Sequence, residues 1–195
     1  MNDPFWDADV ARCEPRWWRE QGLWAIAVYR YGRRVDAMRP SLWKRLHTHF
    51  YWAAFRFIET LVGVSIPKSV AIGPGLRILH FGNIFIHNNA TIGARCTLRQ
   101  GVTIGNRNDA NDVPIVGDDV EFGAYAQALG AIRIGNGCKI GAMSLVLTDV
   151  PDGCTAVGVP ARIIPPVAAK GESSSRTPTS VAGTYRSPAH AAEVD

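Results

Sequence analysis

The 195-residue sequence has little of what would assign it to several common protein classes. It has four cysteines and no CxxC pair, so we expect neither a disulfide scaffold nor a zinc knuckle, and a reducing cytoplasmic compartment is the simpler interpretation. No apolar run reaches the roughly 18 residues that a membrane-spanning helix needs, and the acidic first ten residues are unlike a signal peptide. A net charge of +4 is too small to predict nucleic-acid binding.

Composition divides the chain into three regions. All six tryptophans and many Lys and Arg residues lie in the first third, where apolar spacing predicts two helices, from about Pro15 to Arg34 and from an N-cap at Ser41 to Leu61. We predict an α-helical region over 1–64, a β domain over 65–166, and a disordered tail rich in Ser, Ala, Pro and Thr over 167–195.

A repeat of six residues runs through the middle region. Its aliphatic positions are Ile66, Ile72, Ile78, Ile86, Ile92, Leu98, Ile104, Val116, Phe122, Ala128, Ile134, Ile140 and Val146. A small or β-branched residue lies four positions after many of them, and a glycine often follows at once. This pattern predicts flat strands and sharp bends, three of which close one triangular coil of a stacked solenoid. The phase slips by two near Ile84–Ile86, and the segment GNRNDANDVPI interrupts the repeat.

Four segments resemble the hexapeptide-repeat acyltransferases, and most closely the serine acetyltransferase branch with its short exopolysaccharide-associated members. They are GLRILHFGNIFI (75–86), QGVTIG (100–105), IGNGCKIGAMSLVLTDVP (134–151) and AVGVPARI (156–163). The resemblance implies a left-handed parallel β-helix, acetyl-CoA as the acyl donor, and a homotrimer whose active sites lie between subunits.

The resemblance also implies the site residues. His80 matches the catalytic base, which takes the proton of the acceptor hydroxyl, and a histidine with an ordinary pKa near 6.5 is mostly neutral at cytosolic pH. Ala124 and Ala142 match the small corner residues along which coenzyme A lies, and Lys139 and Arg162 are candidates for its phosphates.

The acceptor is predicted from the positions at which this sequence differs from serine acetyltransferases. Leu79 and Ser65 stand where serine acetyltransferases have Asp, and Asp112-Val113-Pro114 stands where they have Arg-His-Pro. A pocket without those charges would desolvate an amino acid at a cost, so we expect a sugar or polysaccharide-precursor hydroxyl. Serine O-acetyltransferase and a non-catalytic scaffold are the alternatives. We expect the interrupting loop to contact the acceptor, with Asn106, Asp109 and Asp112 as candidates.

Two further expectations concern metals and partners. The β domain holds only His80 and His87, too few for a three-histidine metal site, so no metal is predicted and His87 is interpreted as a turn residue. The Trp- and Arg-rich helices are interpreted as oligomer core or as a peripheral membrane contact. Nucleic acid is not expected as a partner.

Overall fold

Three helices precede the β domain in the computed structural model, which describes residues 3–13 and 20–166. They are α1 (Pro4–Ala11), α2 (Gln21–Ala37) and α3 (Leu42–Val62). The sequence predicted only two, and the predicted tail and the predicted start of the first helix lie outside the described residues. The predicted N-cap is confirmed, because the Ser41 Oγ accepts a hydrogen bond from the Lys44 amide at 3.1 Å. Gly63 ends α3 with a left-handed φ of 65°.

The β domain is a triangular solenoid of short parallel strands. The strands are β1 (Val64–Ser65), β2 (Ala71–Ile72), β3 (Arg77–Leu79), β4 (Ile84–Ile86), β5 (Thr91–Ile92), β6 (Thr97–Arg99), β7 (Thr103–Gly105), β8 (Ile115–Val116), β9 (Glu121–Phe122), β10 (Gln127–Leu129), β11 (Arg133–Ile134), β12 (Lys139–Ile140), β13 (Leu145–Val146), β14 (Thr155–Val157) and β15 (Arg162–Ile164).

Each strand pairs with the strand one coil away, which gives three sheets. Sheet A has the order β1-β4-β7-β10-β13, sheet B has β2-β5-β8-β11, and sheet C has β3-β6-β9-β12-β14-β15. All named pairs are parallel except β14 with β15, which are antiparallel. We call the turns that lead from sheet C to sheet A the CA corner, and those from sheet A to sheet B the AB corner.

The interior of the solenoid confirms the six-residue repeat. Every predicted aliphatic position, from Ile66 to Val146, is buried, as are the small residues at the corners, for example Cys96 and Val102. The glycines permit the coils to approach, since a Cβ on Gly73 would lie 2.6 Å from the Ala94 nitrogen.

A buried ion pair fastens the helices to the first coil. Asp9 of α1 accepts hydrogen bonds from Arg30 of α2, at 2.7 Å from Nε and 3.1 Å from Nη2, and from the Leu76 amide at 2.8 Å. Arg30 also donates to the Ile72 carbonyl at 3.0 Å. Among the residues described, no helix is both long and apolar enough to cross a bilayer.

Candidate active site

The predicted phase slip is a four-residue turn, 80–83, between β3 and β4, and His80 is its first residue. His80 has a left-handed φ of 61°, which it shares with corner residues such as Tyr125 and Met143, so this backbone conformation belongs to the solenoid corners and is no functional signal alone. The His80 side chain is exposed, and no described residue hydrogen-bonds its ring. Both ring nitrogens are therefore available to a substrate.

The CA corner brings His80 into line with both predicted alanines. Hydrogen bonds join successive turns of this corner: Gly101 N to Gly82 O at 2.9 Å, Tyr125 N to Gln100 O at 2.8 Å, and Met143 N to Ala124 O at 2.8 Å. Ala124 therefore lies two coils and Ala142 three coils from the turn that carries His80. Neighbouring coils are about 4.8 Å apart. Ala124 is half-buried and Ala142 is exposed at this corner.

A cavity of about 380 Å³ lies beside His80 and has side chains of both charges in its wall. Arg77 and Leu79 of β3 line the cavity, as does Glu20, the residue that precedes α2. The close packing of α2 on β3 depends on Gly22, where an added Cβ would lie 2.6 Å from the Ile78 carbonyl oxygen. Of the two charged side chains, Arg77 has a buried Nε with no hydrogen-bond partner among the described residues. Glu20 accepts a hydrogen bond from the Cys13 thiol.

Sequence reasoning missed Glu20 and Arg77 as site residues. Glu20 is far from His80 in the sequence and comes near it only because α2 crosses β3. Gln100, in the turn one coil below His80, was also missed, and its Oε1 is buried without a hydrogen-bond partner in the described part of the chain. A glutamine beside a repeat glycine gives no sequence signal, because polar residues are common at solenoid corners.

The outer face of sheet C carries a cationic groove of about 370 Å³. Its basic side chains are Arg12, Arg77, Arg99 and Lys139. It also contains Glu121, and it shares Arg77 and Leu79 with the cavity beside His80, so the two spaces adjoin. Arg12 is fixed there, with Nη1 donating to the Gly75 carbonyl at 2.6 Å.

The two predicted phosphate contacts lie on the same sheet but on different strands. Lys139 lies on β12 in the groove, and β14 separates it from β15, which carries Arg162. Arg162 is exposed opposite Val157 in the final antiparallel pair. The structure therefore places Lys139 nearer to His80 than Arg162, which does not line the groove.

The interrupting loop projects from the AB corner, so one chain does not bring its residues together with His80. Asn106 and Asp109 are exposed. Asp112 accepts hydrogen bonds from the Ala131 amide and, at 3.2 Å, from the Asn108 amide, and it thereby ties the loop to the next coil. His87 lies on the same corner, where its Nδ1 accepts from the Asn89 amide at 3.2 Å, consistent with a turn residue.

Ser65 and Leu79, the other positions that differ from the family pattern, also contact or line identifiable features of the fold. The Ser65 hydroxyl donates to the Glu59 carboxylate at 2.8 Å, so this position is joined to an acid of α3. Leu79 lines both the His80 cavity and the cationic groove. Within residues 3–13 and 20–166, no three His, Cys, Asp or Glu side chains are placed to hold a metal ion.

The fold matches the left-handed parallel β-helix of the hexapeptide-repeat acyltransferases. No family model matches the sequence. The chain is 34% identical over 158 residues to the serine acetyltransferase of Synechococcus elongatus, covering 80% of this chain and 59% of that protein. It is 34% identical over 145 residues to the Helicobacter pylori serine acetyltransferase, covering 73% of this chain and 81% of that protein.

A solved structure agrees with these relatives. The soybean serine acetyltransferase complexed with serine superimposes with a TM-score of 0.70 at 30% identity, covering 83% of this chain and 70% of that one. The chain belongs to the serine acetyltransferase family. It spans about 60% of the length of several curated relatives that it matches.

Proposed function

We propose that this protein transfers an acetyl group from acetyl-CoA to the hydroxyl of serine, with His80 as the general base. The observation that carries the proposal is the unbonded His80 ring, which faces a charged cavity and shares the CA corner with Ala124 and Ala142. Family membership supports the donor and the reaction class.

The donor fits the surface that leads away from His80. The pantetheine arm lies along the CA corner, where the small side chains of Ala124 and Ala142 give it room and main-chain groups provide hydrogen bonds. The phosphates lie toward Lys139 and Arg99 of the cationic groove, and Arg162 is the more distant candidate. Guanidinium and ammonium groups are the usual partners of phosphate in proteins.

Serine replaces the sugar hydroxyl as the acceptor that we favour. The sugar prediction rested on the loss of charges that would hold an amino acid, but the cavity beside His80 contains Arg77 and Glu20. These side chains offer one charge of each sign to a carboxylate and an ammonium group. The relatives are named for serine, and the comparisons give no support to a glycan acceptor.

The chemistry follows from the position of the imidazole. His80 accepts the proton of the serine hydroxyl while the oxygen attacks the thioester carbonyl. The tetrahedral intermediate collapses, the C–S bond breaks, and the imidazolium returns the proton to the leaving thiolate. General acid–base help of this kind contributes about 10²–10⁴ in rate.

Assembly into a homotrimer in the cytoplasm completes the proposal. A neighbouring subunit would bring Asn106 and Asp109 of its loop toward the His80 cavity, which its own AB corner cannot do. The trimer and the cytoplasmic location follow the resemblance and the cysteine usage.

The test measures the release of free coenzyme A thiol from acetyl-CoA with serine, simple sugars or oligosaccharides as acceptors. We expect serine-dependent release that falls at least 100-fold in His80→Ala, with His49→Ala as the matched control because His49 is an exposed histidine of α3, outside both corners. Wild-type-like turnover in His80→Ala would refute the assignment. Release with oligosaccharides alone would restore the glycan acceptor, and coenzyme A binding without release with any acceptor would indicate a scaffold.

A further inference from the structure

Arg77 has no partner, although the fold half-buries its side chain. Three arginines of the described residues are not exposed, namely Arg12, Arg30 and Arg77. Arg12 donates to the Gly75 carbonyl at 2.6 Å, and Arg30 forms an ion pair with Asp9 at 2.7 Å. The Arg77 side chain makes no hydrogen bond or ion pair with any described residue, and its Nε is buried. A buried donor without a partner costs stability, so this guanidinium is a candidate for contact with a ligand.

The surroundings of Arg77 strengthen its attraction for an anion. It lines the cavity of about 380 Å³ beside His80, together with the apolar residues Ile78, Leu79 and Phe81. Charges interact more strongly where apolar side chains replace water and lower the local dielectric constant. Arg77 precedes His80 by three residues, so their Cα atoms are at most about 11 Å apart. An anionic group that Arg77 holds in this cavity therefore lies close to the His80 imidazole.

The row of residues along sheet C separates Arg77 from the far end of the cationic groove. Strand pairing places Arg77, Thr97, Glu121 and Lys139 in this order on successive coils. Lys139 is therefore three coils, or about 14 Å, from Arg77. The Glu121 carboxylate lies between them and would repel a phosphate that bridged the two cations. This order favours Arg77 as a contact of the acceptor and Lys139 as a contact of the donor.

We infer that Arg77 determines acceptor specificity by binding a carboxylate, and that the acceptor class is the free hydroxy amino acid. This inference rests on the proposed serine acetylation and deepens it. A guanidinium donates two parallel hydrogen bonds to a carboxylate, which orients the acceptor as well as binding it. With its carboxylate on Arg77, a three-carbon amino acid presents its hydroxyl to His80. Asp112, the acid predicted to contact the acceptor, is itself negative and is tied to the Ala131 amide, so it offers a carboxylate no partner.

Serinamide tests the carboxylate contact, because it keeps the hydroxyl and the amino group of serine and replaces the carboxylate with a neutral amide. In the unaltered full-length protein, kcat/KM for serine should exceed that for serinamide by about 10- to 100-fold, as expected for a hydrogen-bonded contact between charged groups. Arg77→Met removes the charge and keeps a long side chain, so it should raise KM for serine by the same factor. KM for acetyl-CoA and for serinamide should stay unchanged, so the preference for serine disappears.

The matched control is Arg39→Met, which removes an exposed arginine between α2 and α3 and should leave every kinetic constant unchanged. Arg77→Met should unfold at or above the temperature of the unaltered protein, because it removes a buried group that has no partner. A rise in KM for acetyl-CoA alone, an equal loss with serine and serinamide, or no change in KM for serine would overturn the inference and leave serine acetylation standing. Absence of serine-dependent thiol release in the unaltered protein would overturn both.

Discussion

Cys96 is a titratable residue that occupies a packing position of the repeat. It occupies the small interior slot that holds Val102 at the next corner and Val120 in the next coil, and it is fully buried. Burial raises the pKa of the Cys96 thiol from 9.0 to about 11. The thiol is therefore protonated at neutral pH and is a packing residue.

We predict that Cys96→Val reduces the alkaline sensitivity of the fold. The folded state holds the thiol proton more tightly than the unfolded state, so this contribution to stability is complete below pH 9 and is lost between pH 9 and 11. The loss is about 1.4 kcal/mol per pH unit over that window. Urea unfolding at pH 7, 9 and 10.5 measures it, and equal pH slopes in the variant and the unaltered protein would contradict the prediction.

Gly22 allows the start of α2 to pack closely on β3. Because an added Cβ would lie 2.6 Å from the Ile78 carbonyl oxygen, Gly22→Ala should push the start of α2 away from β3 and enlarge the His80 cavity. We expect a loss of about 1–3 kcal/mol of stability and a higher KM for serine. Gly105→Ala is the matched control, since its Cβ would meet nothing closer than 3.6 Å. An unchanged KM would argue against a role for Glu20 in acceptor binding.

At the scale of elements, local pattern predicted the solenoid better than the helices. A six-residue period reflects the coil geometry directly, so every aliphatic slot was placed correctly, and Ser41 followed by apolar residues located the start of α3. Helix α1 was missed because it is short and its single buried side chain is the acid Asp9, which no apolar period reveals. Glu20 and Arg77 were missed for a related reason, since only the packing of α2 on β3 brings them together.

We predict that Asp9→Ala detaches α1 and strains the α2 contact. It would leave Arg30 buried without its carboxylate partner, and breaking such a pair costs about 3–5 kcal/mol. Thermal or urea unfolding should show a loss of that size. Asp7→Ala, on the exposed side of the same helix, should change stability by about 0.5 kcal/mol or less. A small effect at Asp9 would mean that α1 contributes little to the fold.

At the scale of the whole molecule, the separation of the two corners makes a prediction about subunits. His80 lies on the CA corner and the loop with Asn106 and Asp109 lies on the AB corner, so a site that uses both needs two chains. We predict that His80→Ala and the double variant Asn106→Ala/Asp109→Ala are each inactive alone. Refolded together they should regain part of the serine-dependent thiol release. No recovery in mixed assemblies would show that each chain works with its own residues.

The antiparallel strand β15 ends the parallel stacking on sheet C. A stack of parallel coils ends in a row of open main-chain donors and acceptors, onto which another chain can add its own strands without limit. Since β15 runs against β14 through Thr155, Ala156 and Val157, the open groups of β14 are paired by the last strand that the structure describes. On sheet C the stacking of parallel coils therefore gives way to an antiparallel edge, and removing β15 would expose the edge of β14 to the strands of another chain.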